Sequence, residues 1–261
     1  MPAETATGAG ATMFARYAYP PNELGYCGPG DGRDLLDFAN AANDLAAPPV
    51  QLNMASRARA FDGAWPYLKY LATVAGADSV MDRRVVEAYW LGNDLLHAGD
   101  AASFAETVRN AFATQPGADW PALAPTVSPR PLPHHSFHVF TIYPWVGVLR
   151  RTGADAALEV LDRCRIRWGR VDSVDGDAVQ VQCQPLTWNG SVLRLGAPRP
   201  ERARLADQGR SLASPVRPGS WVSLHWDWVC DELTEGQLEA LLDVTARQLA
   251  ITNRESAPVN P

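Results

Sequence analysis

Cysteine and histidine are scarce in this 261-residue chain, four Cys and five His, so each can be weighed by itself. Three of the five His stand together in His134-His135-Ser136-Phe137-His138. On a helix His134 and His138 share a face four residues apart, a spacing that suits two ligands of one metal ion. On a strand they share a face too, with Ser136 between them. A closed site would need a further donor brought in by folding, from Cys27, His97 or a carboxylate. Phe137, Phe140, Tyr143 and Trp145 around these imidazoles also fit haem ligation, or simply a packed aromatic segment with partly exposed rings. Cys164 stands among Arg163, Arg165, Arg167 and Arg170, positive neighbours that favour a thiolate over a thiol. Strict alternation also puts Cys164 on one face with Ile166 and Trp168, as for a buried structural cysteine. His225 alternates with Val222 and Leu224 and by itself reads as a surface residue of an edge strand. Cys27, within Tyr26-Cys27-Gly28-Pro29, by itself reads as structural. There is no Cys-x-x-Cys pair, Gly-rich phosphate loop, nucleophile elbow or zincin helix, so no conventional enzyme motif is present.

Two kinds of element must position these residues. Residues 1–12 are Ala/Gly/Thr-rich with little to bury, which predicts a disordered lead without a signal peptide. Aromatics, Pro and Gly crowd residues 14–32, which predicts a loop pinned by rings. Apolar residues then recur at helical spacing over 34–45, 55–74 (divided by Pro66), 82–96 and 101–112. Residues 115–133 form a Pro-rich arm, and 154–163 a short helix that delivers the chain to Cys164. From there the period is two. Val179, Val181 and Cys183 alternate with Gln180 and Gln182, and Asp175-Gly176 marks a hairpin turn. Leu193 to Leu195 is a third strand, 197–214 a surface excursion, and Val222 to Trp226 a further strand. Thr234 with Gln237 opens a last helix through a capping box, with Leu238, Leu241, Leu242, Thr245 and Leu249 inward. The expected class is α+β. A mainly helical domain with a Pro-rich arm spans 13–153, and a small OB-like β-barrel with a C-terminal helix spans 154–250. Residues 251–261 are a polar tail, and the boundary lies near Gly153.

The stretch 164–249 resembles the HypC/HupF-type hydrogenase assembly chaperones. Cys164-Arg-Ile-Arg-Trp-Gly-Arg-Val171 stands where that family has a Cys followed by a Pro-Gly-Lys-Val-like strand. Pro218-Gly-Ser-Trp-Val-Ser-Leu-His225 stands where it has a Pro-Gly-Asp-Tyr-Val-Leu-Val-His-like strand. The helix at Thr234 matches its acidic last helix. The resemblance implies that Cys164 and His225 are metal ligands for the iron–cyanide–carbonyl unit of [NiFe]-hydrogenase. It also implies two partners, a HypD-like maturation protein and the hydrogenase large-subunit precursor. Thiolate and imidazole both suit such an iron. Three departures stand out. The family begins at this Cys, whereas more than half of the present chain precedes it. The Pro-Gly step becomes Trp168-Gly169, without the fixed φ of Pro. The His-x-Gly-Phe-Ala-like segment becomes His225-Trp226-Asp227-Trp228-Val229, and Asp in place of Gly speaks against a turn that needs positive φ there. The N-terminal half is faintly similar to uncharacterised actinobacterial hydrogenase-associated proteins, which implies a setting and no activity.

Composition removes other classes. A net charge of −6 disfavours nucleic-acid binding, and no apolar run reaches the length of a membrane span. Cysteines this sparse are no disulfide framework, which places the chain in a reducing cytoplasm. The expected function is a [NiFe]-hydrogenase maturation factor, a chaperone rather than an enzyme. The alternatives are an iron- or haem-binding redox protein or enzyme that uses the His134–His138 segment, and a non-catalytic interaction protein that keeps only the barrel fold.

Overall fold

A computed structural model of the chain describes residues 3–43, 52–124 and 128–254. The end of the helix expected over 34–45, Pro125 of the arm, residues 255–261 of the tail and the first two residues of the lead lie outside the described residues. The class is α+β.

The first correction comes at once. The expected lead and much of the expected loop are one helix, α1 (Ala3–Glu23). Met13, Phe14, Tyr17 and Ala18 recur at three- and four-residue spacing and are all buried, so the aromatics are an inward stripe. Gly10 permits a close crossing, since a Cβ there would lie 2.0 Å from the Met81 carbonyl oxygen. Pro20 and Pro21 occupy the last turn. Lacking N–H groups, they leave the carbonyls of Arg16 and Tyr17 without their usual partners four residues on. The loop reading holds only from residue 24 to 32.

The helical periods are borne out in part, since the one expected over 82–96 stops at Trp90, before Gly92 with φ 93°. They give α2 (Arg33–Asn43), α3 (Met54–Ala58), α4 (Trp65–Ala75), α5 (Arg83–Trp90) and α6 (Ala101–Phe112). Pro66 lies in the first turn of α4, where a missing N–H costs nothing. Asp82 and Asp100 cap α5 and α6 by accepting from backbone N–H groups. After the Pro-rich arm, His134 caps α7 (His135–Phe137), which runs into a π turn over His138–Ile142. Then come α8 (Trp145–Thr152) and α9 (Asp155–Cys164).

The strands are β1 (Arg167–Asp175), β2 (Ala178–Cys183), β3 (Leu186–Trp188), β4 (Leu193–Leu195), β5 (Arg199–Arg204), β6 (Ala206–Asp207), β7 (Arg210–Ser211), β8 (Trp221–His225) and β9 (Trp228–Glu232). Five of them pair in a closed ring, β1-β2-β5-β9-β8, antiparallel except where β5 meets β9. The expected surface excursion over 197–214 therefore contains a ring strand. Its β5 pairs with β2 through Val181↔Glu201 and Val179↔Ala203. The expected third strand, β4, pairs instead with β3 outside the ring. The capping box at Thr234 and Gln237 opens α10 (Glu235–Asn253), which carries the helix past residue 250 into the expected tail. Asn253 holds β4 there, accepting from Leu193 N at 2.9 Å and donating to Leu193 O at 2.8 Å. Among the described residues no helix is long and apolar enough to cross a membrane.

One buried cluster spans Gly153, while the interior of the strand ring forms a cluster of its own. Phe14, Tyr17, Tyr89, Trp90 and Phe137 form one cluster with Ile166, Trp168, Leu212, Trp228 and Cys230. The contact runs along α1. Tyr17 Oη is 2.7 Å from Ser223 Oγ, and Trp228 Nε1 donates to Glu23 at 3.0 Å. A fully buried Trp removes about 200 Å² from water, roughly 5 kcal/mol before its ordering cost. Trp228 thus ties α1 firmly to β9.

Candidate metal centre

Three side chains from distant parts of the chain converge in this joint. The ligating atoms of His135, Cys164 and His225 all lie within 4.8 Å of one another, and all three residues are buried. His135 comes from the first residue of α7, Cys164 from the last of α9 and His225 from the last of β8. The imidazole rings of His135 and His225 meet edge to face with centroids 5.2 Å apart, and Trp90 packs against both.

Hydrogen bonds settle the tautomers. A carbonyl can only accept, so His225 Nδ1, 2.7 Å from Tyr17 O, must carry the proton. Tyr17 O is the carbonyl that Pro21 leaves without a helical partner. The lone pair of His225 is then on Nε2, a buried atom without a well-formed hydrogen bond, although the Cys164 carbonyl also lies near the ring. A buried polar atom without a partner calls for an explanation, and a metal supplies one. His135 Nε2 lies 2.8 Å from Cys164 O and likewise donates. Its lone pair is on Nδ1, which faces the Tyr89 hydroxyl at 3.3 Å. That hydroxyl also lies 3.1 Å from Gly63 O. Both imidazoles thus have the arrangement usual for ligating His, with one ring nitrogen held by a backbone carbonyl.

Electrostatics favours neutral donors. Burial pushes His135 down to about 4, partly offset by its bond to the Cys164 carbonyl. Burial and the neighbouring His135 hold His225 well below its usual range. Burial, then the nearby Cys27, raises the Cys164 thiol. The expected arginine-stabilised thiolate is therefore corrected, because the arginines are engaged elsewhere. Arg165, 2% exposed, meets Asp162 at 2.9 Å, and Arg167, 1% exposed, meets Glu201 at 2.6 Å. Arg163 also reaches Glu201, at 3.1 Å. These side chains are not the wet face of a strand. Without a metal the thiol stays protonated, and a metal would displace that proton on binding. Thiolate with two imidazoles is a donor set for zinc, iron, nickel or copper, and three protein ligands leave coordination positions open.

The turn after His225 does form. Its positive φ, 54°, falls on Trp226 rather than on Asp227. Such a conformation costs of order 1–3 kcal/mol, and its surroundings hold it. Trp226 N donates to Arg163 O at 2.8 Å, Trp226 O accepts from Arg167, and Tyr26 stacks on the indole at 4.2 Å.

The other sequence candidates separate. His134 and His138 do not serve one ion as an i, i+4 pair. His134 Nδ1 accepts from Ser136 N at 3.0 Å as a helix cap. His138 turns the other way, to a cavity of about 300 Å³ that it shares with Cys27 and Tyr143. His97 is exposed at the end of a 3₁₀ turn over Asp94–His97. His225 is fully buried rather than on a surface edge. Sequence reasoning missed the Tyr17 carbonyl, although the Pro20-Pro21 pair signals it, and missed Tyr89 and Trp90 as walls.

No curated protein and no solved structure matches the chain. A family model described as "Family of unknown function (DUF6390)" matches residues 6–258, through the helices and the ring of strands alike. With nearly its whole length matched, helical part, strand part and the His135–Cys164–His225 joint together, the chain belongs to the family of unknown function DUF6390.

Proposed function

We propose that this protein is an assembly factor of the HypC/HupF kind for [NiFe]-hydrogenase, with Cys164 and His225 as the donors that hold an iron–cyanide–carbonyl unit as cargo. One observation carries the reading. The two residues paired by the resemblance, far apart in sequence, meet at one buried point with the His225 Nε2 lone pair unpartnered. The closed ring of strands followed by α10 supports an OB-like, HypC-like barrel. His135 is a third donor that the resemblance does not supply. The cargo would come from a HypD-like protein and pass to the large-subunit precursor in the cytoplasm, making the chain a carrier rather than an enzyme.

The chain's own residues have clear tasks. Cys164 gives up its proton to become a thiolate, His225 presents a fixed lone pair, and the apolar wall of Val139, Phe140 and Trp226 around Cys164 excludes water. The test is infrared spectroscopy of protein purified with its maturation partners. Cyanide and carbonyl bands are expected, lost in Cys164→Ala and His225→Ala together with hydrogenase activity. Absent bands with full hydrogenase activity in Cys164→Ala would sink the carrier reading.

Burial of Cys164 favours one other reading, a non-catalytic interaction protein that keeps only the barrel. On that reading Cys164→Ser and His225→Ala are silent in hydrogenase maturation, while changes to the barrel surface cost partner binding.

A further inference from the structure

Of the four cysteines, three are buried and only Cys27 is partly exposed. It lines the cavity of about 300 Å³ together with His138, Asp62, Gly63 and Tyr143. The loop that presents it is built rather than loose. The Asn22 side chain donates to Cys27 O at 2.8 Å and to Pro29 O at 2.7 Å. Gly28 has φ 78°, and a Cβ there would lie 2.4 Å from the Phe61 ring. His138 is 3% exposed, and its Nε2 has no hydrogen-bond partner although it lines the cavity. Gly63 leaves space for that atom, since a Cβ on it would come within 2.8 Å of Nε2. A thiol and a buried imidazole, whose Nδ1 lies 3.3 Å from the Tyr67 hydroxyl and whose Nε2 is unpartnered, thus face one solvent-connected cavity.

This cavity adjoins the inner centre. Tyr26, next to Cys27, stacks on Trp226, next to His225. Tyr143, which lines the cavity and meets the His138 ring with centroids 4.4 Å apart, packs against the buried cluster that holds Cys164.

We propose that Cys27 and His138 form an entry site for a thiophilic transition-metal centre, which passes from there to Cys164, His135 and His225. The entry site stands on its own geometry, whereas the onward transfer rests on the function proposed above. The chemistry is ligand exchange without redox change. At entry the metal–sulfur bond to Cys27 forms and the thiol proton leaves to solvent. On transfer the bond to Cys164 forms, the bond to Cys27 breaks, and the Cys164 proton ends on Cys27.

The test uses the full chain and Co²⁺ alone. Cys164→Ser, which lacks the inner thiol, is expected to keep one Co²⁺ with a thiolate-to-cobalt charge-transfer band. Adding Cys27→Ser should abolish that band. A Cys164→Ser protein without the band overturns the entry site. If that variant fails to fold, alkylation of Cys27 in the native chain decides. Zn²⁺ should slow it by about 10- to 100-fold, and His138→Ala should remove the protection. Alkylation unaffected by Zn²⁺ overturns the proposal. Transfer is read by stopped flow. Cys27→Ser should reach the same final inner-site band as the native chain, about tenfold more slowly. An equal rate overturns the entry role. A Cys27→Ser chain that never shows a cobalt–thiolate band refutes the inner centre, and with it the transfer, while the Cys164→Ser result still decides the entry site.

Discussion

The two imidazoles of the inner centre are positioned in mirror fashion. His225 belongs to the ring of strands, yet it is oriented by Tyr17 O of the helical half. His135 belongs to the helical half, yet it is oriented by Cys164 O at the doorway to the strands. Each half therefore fixes the other half's donor. A barrel lifted out of this chain would keep Cys164 and His225 but lose the bond that selects the His225 tautomer. The centre is a property of the joint, where one buried cluster holds residues from both sides of residue 153.

Acid should break this arrangement most strongly. Burial holds His134 and His138 at about 3, His135 at about 4 and His225 well below its usual range. An unfolded chain titrates these groups near 6.5. Below that value the unfolded state takes up protons that the folded state refuses. Stability is therefore complete above about pH 6.5 and is lost as pH falls toward 3–4, by up to about 5 kcal/mol per pH unit for the four together. Urea unfolding from pH 7.5 to 4.5 measures it. His225→Gln should make the slope shallower by about a quarter, and an unchanged slope would mean that His225 does not stay neutral in the fold.

Glu201→Ala removes the partner of Arg167 in β1 and of Arg163 in α9. It strands the buried Arg167 guanidinium, at about 3–5 kcal/mol in urea unfolding. His225→Gln should weaken Co²⁺ binding at the inner centre by more than about 100-fold, beyond what loss of an orienting group costs. Pro21→Ala is subtler and more telling. It restores an N–H that competes for Tyr17 O, so Co²⁺ affinity should fall about tenfold while the helix itself is no less stable. Unchanged affinity would mean that the carbonyl does not orient the ring. The smallest effect belongs to Thr234→Ala, about 1 kcal/mol from a lost cap, with Co²⁺ binding untouched.

Much of this was legible in the sequence because local rules govern it. Pro66 and the Thr234 capping box mark helix ends that depend on nearest neighbours. Cys164 and His225 could be paired only through resemblance. Their surroundings were misread because alternation in β1 does not report which arginines find carboxylates. Asp162 is three residues from Arg165, but Glu201 reaches Arg167 only when β5 joins the ring. The long lead was misread for a related reason. Ala, Gly and Thr carry little apolar surface, and α1 is held by the aromatics that follow, which appeared to belong to a loop. His135 was the least conspicuous of its cluster, since i, i+4 spacing favours its neighbours and its partners lie in other elements.

Tyr89 carries a consequence for capture and release. Its hydroxyl has one proton and two acceptors within reach, His135 Nδ1 and Gly63 O. The hydroxyl donates to Gly63 O at 3.1 Å, with His135 Nδ1 as its other acceptor at 3.3 Å. Were Nδ1 given to a metal, that proton would still have Gly63 O as an acceptor at 3.1 Å. A hydroxyl with two acceptors in reach would let His135 take a new partner on Nδ1 while the phenol keeps one of its own.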